Sequence, residues 1–95
     1  MSNSPTSTNS SGSAHEMCFS EAVRRAIHGL AAERDMSIST LANRIGTPYS
    51  SLTTRMSAYR LSLDDVDRIA AALGLTFWDL MNRAKLIAST AKEAE

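Results

Sequence analysis

The chain has little of what secreted, membrane-bound or metal-binding proteins depend on. Its single cysteine, Cys18, cannot form a disulfide within the chain, which fits a reducing compartment. No stretch reaches the ~18 apolar residues of a membrane span, and the N-terminus lacks the basic start and apolar run of a secretory signal. His15, Cys18 and His28 have no fourth ligand at a recognisable spacing, so no metal is expected. We expect a cytoplasmic protein without a membrane segment or a cofactor.

Residue sets for catalysis are also missing. The sequence contains neither a paired nucleophile and base nor a glycine-rich loop that could cradle a phosphate. There is no excess of charge either, because ten basic residues balance ten acidic ones. An enzyme is therefore not expected, and strong binding of nucleic acid without regard to sequence is disfavoured.

The charges that are present are unevenly distributed. No acidic residue occurs from Met36 to Leu63, whereas Arg44, Arg55 and Arg60 fall inside that stretch. The stretch is therefore locally cationic within a neutral chain, and a local excess of this kind is what attracts phosphate groups.

Domain limits follow from composition. Residues 2–13 contain only Ser, Asn, Thr, Pro and Gly, so we predict a disordered tail over residues 1–16, which has almost no apolar surface to bury. An arm that enters the DNA minor groove is the alternative, but such arms use Arg or Lys and this segment has neither. Residues 17–88 are predicted to form one domain, and residues 89–95 a frayed, Ala-rich and charged end.

Apolar residues recur at helical spacing in five segments, and no segment shows the alternation of a strand. The first helix is predicted over about 19–34 and the second over about 39–45, where Gly46 ends it. Ser37 or Ser39 can cap the second helix. We therefore predict an all-α bundle.

The fourth and fifth helices carry capping signals. Ser62 and Asp65 have the spacing of a capping box at the start of the fourth helix. Thr76 and Asp79 repeat that spacing ahead of the fifth helix, which is predicted to continue through Ile87.

Residues 37–57 predict a short helix, a turn containing a glycine, and a second short helix. Two short helices set at a steep angle by a tight turn form the unit that places one helix in the DNA major groove. Thr47 is predicted to cap this third helix and Pro48 to take its first position, where a missing N–H costs nothing. Leu52 and Met56 lie one turn apart and form its buried side.

The side of the third helix opposite Leu52 and Met56 is expected to face base edges, which hydroxyl groups can contact as donors or acceptors. The residues predicted to read bases are Tyr49, Ser50, Thr53, Thr54 and Ser57. For Tyr49, a half-buried ring against the second helix is the alternative.

Phosphate contacts are expected from arginines of the acid-free stretch and from helix starts, where exposed N–H groups favour anions. The residues predicted to make them are Ser39, Arg44, Thr47, Pro48, Ser51, Arg55 and Arg60. Arg55 is assigned to DNA because no acid lies near it in sequence. A pair with an acid elsewhere in the protein is the alternative.

Several short motifs occur together, in the order Met36-Ser37, Leu41-Ala42, Ile45-Gly46, Leu52 with Met56, Ile69-Ala70-Ala71-Ala72-Leu73-Gly74-Leu75 and Phe77-Trp78-Asp79-Leu80. With this set, the chain from about Val23 to Met81 resembles the Cro/phage-repressor-type (XRE-type) helix-turn-helix family, and looks most like its actinobacterial and actinophage members. The resemblance implies a five-helix bundle of the lambda-repressor-like DNA-binding type. It also implies a sequence-specific regulator of double-stranded DNA in the bacterial cytosol or nucleoid, such as a phage-immunity or Cro-like repressor.

Three departures limit what the resemblance implies. Ile38 stands where members often carry a phosphate-clamping glutamine, and hydroxyl groups replace their Gln, Arg or Asn on the third helix. Ser57-Ala58 stands where members often have Asn-Gly or Arg-Gly. Because alanine in a left-handed conformation costs about 1 kcal/mol, we expect the turn after the third helix to take a different shape.

The resemblance also implies a homodimer on an inverted repeat, often formed through the last helix. Two units spaced by one DNA turn, about 34 Å, read enough base pairs to select a site, whereas one unit does not. The residues predicted to form the dimer interface are Phe77, Trp78, Met81, Leu86 and Ile87, with Trp78 favoured because aromatic residues are enriched at interface centres. An antitoxin-like module, which covers a partner protein with its C-terminal helix, is the alternative function.

Overall fold

Five α-helices joined by short turns make up the computed structural model, which describes residues 18–93 and, up to residue 90, their side chains. The helices are α1 (Phe19–Glu33), α2 (Ile38–Ile45), α3 (Tyr49–Ser57), α4 (Leu63–Ala72) and α5 (Phe77–Glu93). No strand occurs within residues 18–93, and the expected all-α, five-helix bundle is confirmed. The tail predicted over residues 1–16 lies outside the described residues, as does the end of the segment expected to fray.

The core is a single cluster to which every helix contributes. The largest fully buried side chains are Ile27, Leu41, Leu52, Ile69 and Leu80, one from each helix in order. Burial of each contributes about 1.5–3 kcal/mol to folding. The most extensive helix pair is α1 with α5, and α2 packs against both α3 and α4. The α2–α3 unit is thus held by the other described helices, with α2 packed directly on α1 and α4.

The start and end of α2 follow from local chemistry. Of the two candidate capping residues, Ser37 is the one that caps, since its hydroxyl accepts from the Thr40 amide at 3.0 Å. Gly46 ends the helix in a left-handed conformation, with φ at 71°, as expected. Side chains larger than hydrogen are strained at this φ, so glycine sets the sharp exit that directs the chain into α3.

The start of α3 differs from the prediction by one residue. Thr47 does not cap the helix, since the N-cap is Pro48 and no side chain caps α3. The Thr47 amide donates to the Ala42 carbonyl at 3.0 Å and so completes the end of α2. Pro48 is the N-cap rather than the first helical residue, since its ψ of 142° is extended, and α3 begins at Tyr49. The fixed φ of proline suits either position, so the closing of α2 decided between them.

Both capping boxes are present. At α4, the Asp65 amide donates to the Ser62 hydroxyl and the Ser62 amide donates to the Asp65 carboxylate, each at 3.0 Å. At α5, the corresponding pair between Thr76 and Asp79 has distances of 3.0 and 3.1 Å. From there α5 continues to Glu93, beyond its predicted end. No helix within residues 18–93 has the length and apolar character that crossing a membrane demands.

Candidate nucleic-acid interface

Two buried side chains orient α3. Leu52 and Met56 are 1% and 3% exposed and point into the core, as the spacing predicted. Opposite them, the side chains of Ser50, Thr54 and Ser57 are exposed. The helix therefore presents small polar groups to its open side, while its position is held from behind.

Tyr49 and Thr53 lie at the margin of this polar side. Tyr49 is 54% exposed, so its ring is accessible at the start of α3 rather than enclosed. Thr53, one turn further along, is half-buried. The structure thus brings the five residues predicted to read bases onto one helix, although with unequal exposure.

The hydroxyl groups of α3 differ in their hydrogen bonding. Thr53 Oγ1 donates back to the helix, with the carbonyl oxygens of Tyr49 and Ser50 both at 3.1 Å. Within residues 18–93, no hydrogen-bond partner is present for the hydroxyls of Thr54 and Ser57, which remain open to solvent. Adjacent positions on the helix therefore offer different chemistry.

The residues predicted to contact phosphates are not equally placed. Ser39, Arg44, Pro48 and Arg60 are exposed, whereas Thr47, Ser51 and Arg55 are partly buried. Neither Arg44 nor Arg60 pairs with an acid among the described residues. Ile38 is partly buried and packs against the core.

Arg55 has an acidic neighbour in space although none lies near it in sequence, so the alternative of a pair within the protein has a candidate partner. Arg55 Nη1 lies 3.5 Å from Asp65 Oδ1, and Arg68 Nη1 lies 3.9 Å from the same atom. Asp65 is held in place because its other oxygen caps α4. The spacing of the capping box predicts from sequence that the Asp65 carboxylate lies at the start of α4. Only the fold shows that the end of α3 lies beside it. Contact of Arg55 with DNA stays a prediction.

Tyr59 closes the turn after α3 and was not expected to have a role. The left-handed residue is Tyr59, with φ at 58°, while Ala58 keeps φ at −89°. The Arg60 amide then donates to the Arg55 carbonyl at 2.8 Å. The alanine therefore does not carry the cost of a left-handed conformation, because that conformation falls on Tyr59. A turn shape different from that of the family's other members stays a prediction.

A hydrogen bond from Tyr59 ties this turn to α1. Its hydroxyl donates to Glu21 Oε1 at 2.7 Å, and Glu21 also accepts from Arg24 and Arg25 on its own helix. The bonds from Arg24 and then Tyr59 hold the pKa of Glu21 well below its usual range. The same contact raises the pKa of Tyr59. The exit of α3 is thus fixed by a carboxylate 38 positions earlier in the chain.

Glu21→Gln is expected to lower the thermal unfolding midpoint at pH 7 and to flatten its decline in acid. Because the folded-state pKa of Glu21 lies below its unfolded value, its stabilisation is full above about pH 5 and is lost as pH falls through the folded pKa. Circular dichroism melts from about pH 7 to pH 2 would measure the difference. Asp67→Asn, which removes an exposed carboxylate without an ion pair in residues 18–93, is the control and should keep the unfolding midpoint at pH 7 close to that of the wild type. Parallel curves for the wild type and Glu21→Gln would contradict this role.

The five residues predicted to form a dimer interface divide into two groups. Trp78 and Leu86 are 71% and 61% exposed. Phe77, Met81 and Ile87 are partly buried and pack against the core. The exposed apolar surface of α5 is therefore carried by the first two residues, and dimerisation stays a prediction.

Comparison with known proteins gives one match. The sequence model of the Cro/C1-type HTH DNA-binding domain matches residues 26–85, well over half of the 95 residues. The matched range includes α2, α3 and α4 in full. No curated protein and no solved structure matches the chain. Within residues 18–93, no group of three or more His, Cys, Asp or Glu side chains is placed to hold a metal.

Proposed function

Because the chain belongs to the Cro/C1-type HTH DNA-binding domain family, we propose that it is a transcriptional repressor of the phage-immunity or Cro-like kind. It reads operator half-sites with α3 in the major groove, in the bacterial cytosol or nucleoid. The observation that carries this proposal is the exposed polar side of α3, held from behind by Leu52 and Met56. Domains of this family bind DNA and are typically not enzymes.

Base readout comes from the exposed hydroxyls of α3. Thr54, Ser50 and Ser57 can donate to or accept from base edges, each of which shows a distinct pattern in the major groove. Tyr49, at the first helical position, reaches either a base edge or a phosphate. Because these side chains are small, the helix backbone can approach the bases closely enough for the contacts to form. The contacts then supply the sequence preference.

Phosphate contacts hold the helix in register. Arg44 and Arg60, the exposed arginines of the acid-free stretch, and the N-terminal amides of α3 supply positive charge for phosphate oxygens. Few phosphates are neutralised in this way, so affinity for random DNA is low and selectivity depends on α3.

Arg44→Ala is expected to weaken binding to cognate and random duplexes alike. Removal of one phosphate contact should reduce the slope of log affinity against log salt by about 1. Fluorescence anisotropy titrations at several salt concentrations measure both quantities. Lys85→Ala, which removes one exposed positive charge from α5 that has no ion pair within residues 18–93, is the control and should leave the slope unchanged. A selective loss on the cognate duplex would instead assign Arg44 to base readout.

A two-fold symmetric dimer gives the protein enough sequence information to select an operator. Trp78 and Leu86 on α5 supply the exposed apolar contact, and a symmetric dimer pairs the same patch from both copies.

Trp78→Ala is expected to shift sedimentation velocity profiles from dimer to monomer, whereas Leu63→Ala, the loss of another exposed apolar side chain, should not. A wild-type protein that sediments as a monomer on and off DNA would remove the dimer from the proposal.

Selection of bound duplexes from a random pool tests the function as a whole. We expect enrichment of an inverted repeat whose half-sites lie about one helical turn, roughly 10 base pairs, apart. A pool in which no sequence is enriched would contradict a sequence-specific regulator. Enrichment of a single asymmetric half-site would keep the DNA function and reject the symmetric dimer.

A further inference from the structure

We propose that Thr53 reads the half-site through its methyl group alone and selects a thymine for its 5-methyl group. This assignment rests on the proposed function, since it requires α3 to lie in the major groove. It separates Thr53 from its neighbour Thr54, whose hydroxyl remains available to donate. The two threonines are then not equivalent readers, although they are adjacent in sequence.

The hydrogen bonding of Thr53 removes its donor. A threonine hydroxyl has one proton and two lone pairs, and the proton of Thr53 is shared between the carbonyl oxygens of Tyr49 and Ser50, both 3.1 Å away. Guanine N7 and O6, adenine N7 and thymine O4 are all acceptors in the major groove, so Thr53 cannot bond to them without breaking its bonds to the helix. The partners that remain are amino groups and the thymine methyl.

The position of Oγ1 decides between these partners. Oγ1 lies against the preceding turn of α3, and bonding to the i−3 and i−4 carbonyls restricts χ1 of a β-branched side chain. The methyl is the branch that carries no hydrogen bond, and it is held in one direction before DNA arrives. A pre-oriented methyl on a half-buried residue suits an apolar partner, and thymine carries the only methyl group on the major-groove edge of unmodified DNA.

Base analogues and volume-matched variants provide the test. The probe is the duplex recovered from the random pool, with each thymine of a half-site replaced in turn by deoxyuridine, which lacks the 5-methyl group. Wild-type protein should lose about fourfold in affinity at one position, as expected when one methyl contact is lost. Thr53→Val, which keeps a methyl and removes the hydroxyl, should show the same loss at that position. Thr53→Ser, which keeps the hydroxyl and removes the methyl, should bind the thymine and uracil duplexes equally.

Several outcomes would overturn the assignment. If Thr53→Val binds the thymine duplex more than tenfold more weakly than the wild type, while its circular dichroism melt is unchanged, the hydroxyl is the reading group. If Thr53→Ser loses as much affinity as the wild type at every thymine that is replaced by deoxyuridine, the methyl contact does not exist. In both cases the wild type still prefers its selected duplex, so the proposed function stands. A wild type that binds selected and random duplexes equally rejects the proposed function and this assignment together.

Discussion

Leu52→Ala is expected to lower the free energy of unfolding by about 2–5 kcal/mol, because it leaves a cavity where α3 meets the core. A domain of this size is stabilised by only about 5–15 kcal/mol in total, so the loss is a large fraction. Since Leu52 and Met56 are the two buried residues of α3, the helix would lose one of its two main anchors in the core. Urea unfolding followed by circular dichroism measures the change.

A matched variant separates loss of packing from loss of a leucine. Leu63→Ala, at a position 73% exposed at the start of α4, should stay within about 0.5 kcal/mol of the wild type. If Leu52→Ala unfolds at the same urea concentration as Leu63→Ala, α3 is not held by the core in the way described. DNA binding should follow stability, with Leu52→Ala losing affinity for every duplex.

Thr54→Ala is expected to weaken binding to the cognate duplex by about 1–3 kcal/mol, which is the usual cost of one lost base contact, and to leave random DNA almost unaffected. The physical reason is that Thr54 is exposed at the centre of the polar side of α3, and its hydroxyl has no partner within residues 18–93. Anisotropy titrations with both duplexes at one salt concentration measure the difference. Stability should hardly change, because the side chain supports no packing.

The control for Thr54 is a hydroxyl at a distance from α3. Thr90→Ala, on an exposed position of α5, should bind both duplexes as the wild type does. If Thr54→Ala lost affinity equally on cognate and random DNA, Thr54 would be a phosphate contact. If it lost none, α3 would not be the reading helix, and the central proposal would fail.

The prediction from sequence was most accurate where a few neighbouring residues decide the structure. The capping boxes at Ser62–Asp65 and Thr76–Asp79 formed as expected, and Gly46 ended α2 in a left-handed conformation. The buried side of α3 was also correct, since Leu52 and Met56 follow from helical periodicity alone. In each case the interacting groups are at most four positions apart, so the spacing carries the information.

The errors arose where two segments compete or where distant groups meet. Thr47 is predicted to cap α3, but the N-cap is Pro48 and Thr47 belongs to the turn that closes α2. How far that closing turn extends could not be read from the sequence. The alternative for Arg55, a pair with an acid elsewhere in the protein, could not be weighed from the sequence, and the fold places Asp65 beside it. The hydrogen bond from Tyr59 to Glu21 joins residues 38 positions apart, so no pattern of residue spacing could predict it.

By itself, the sequence determined five helices, their principal caps and the polar side of α3, because backbone hydrogen bonding and helical periodicity act over one or two turns. Only the tertiary structure decided which side chains of α5 stay exposed and which arginines have acidic neighbours. It also showed where the turn after α3 becomes left-handed, at Tyr59 rather than Ala58. These features depend on which helix packs against which, and that is settled by the whole core rather than by any one segment.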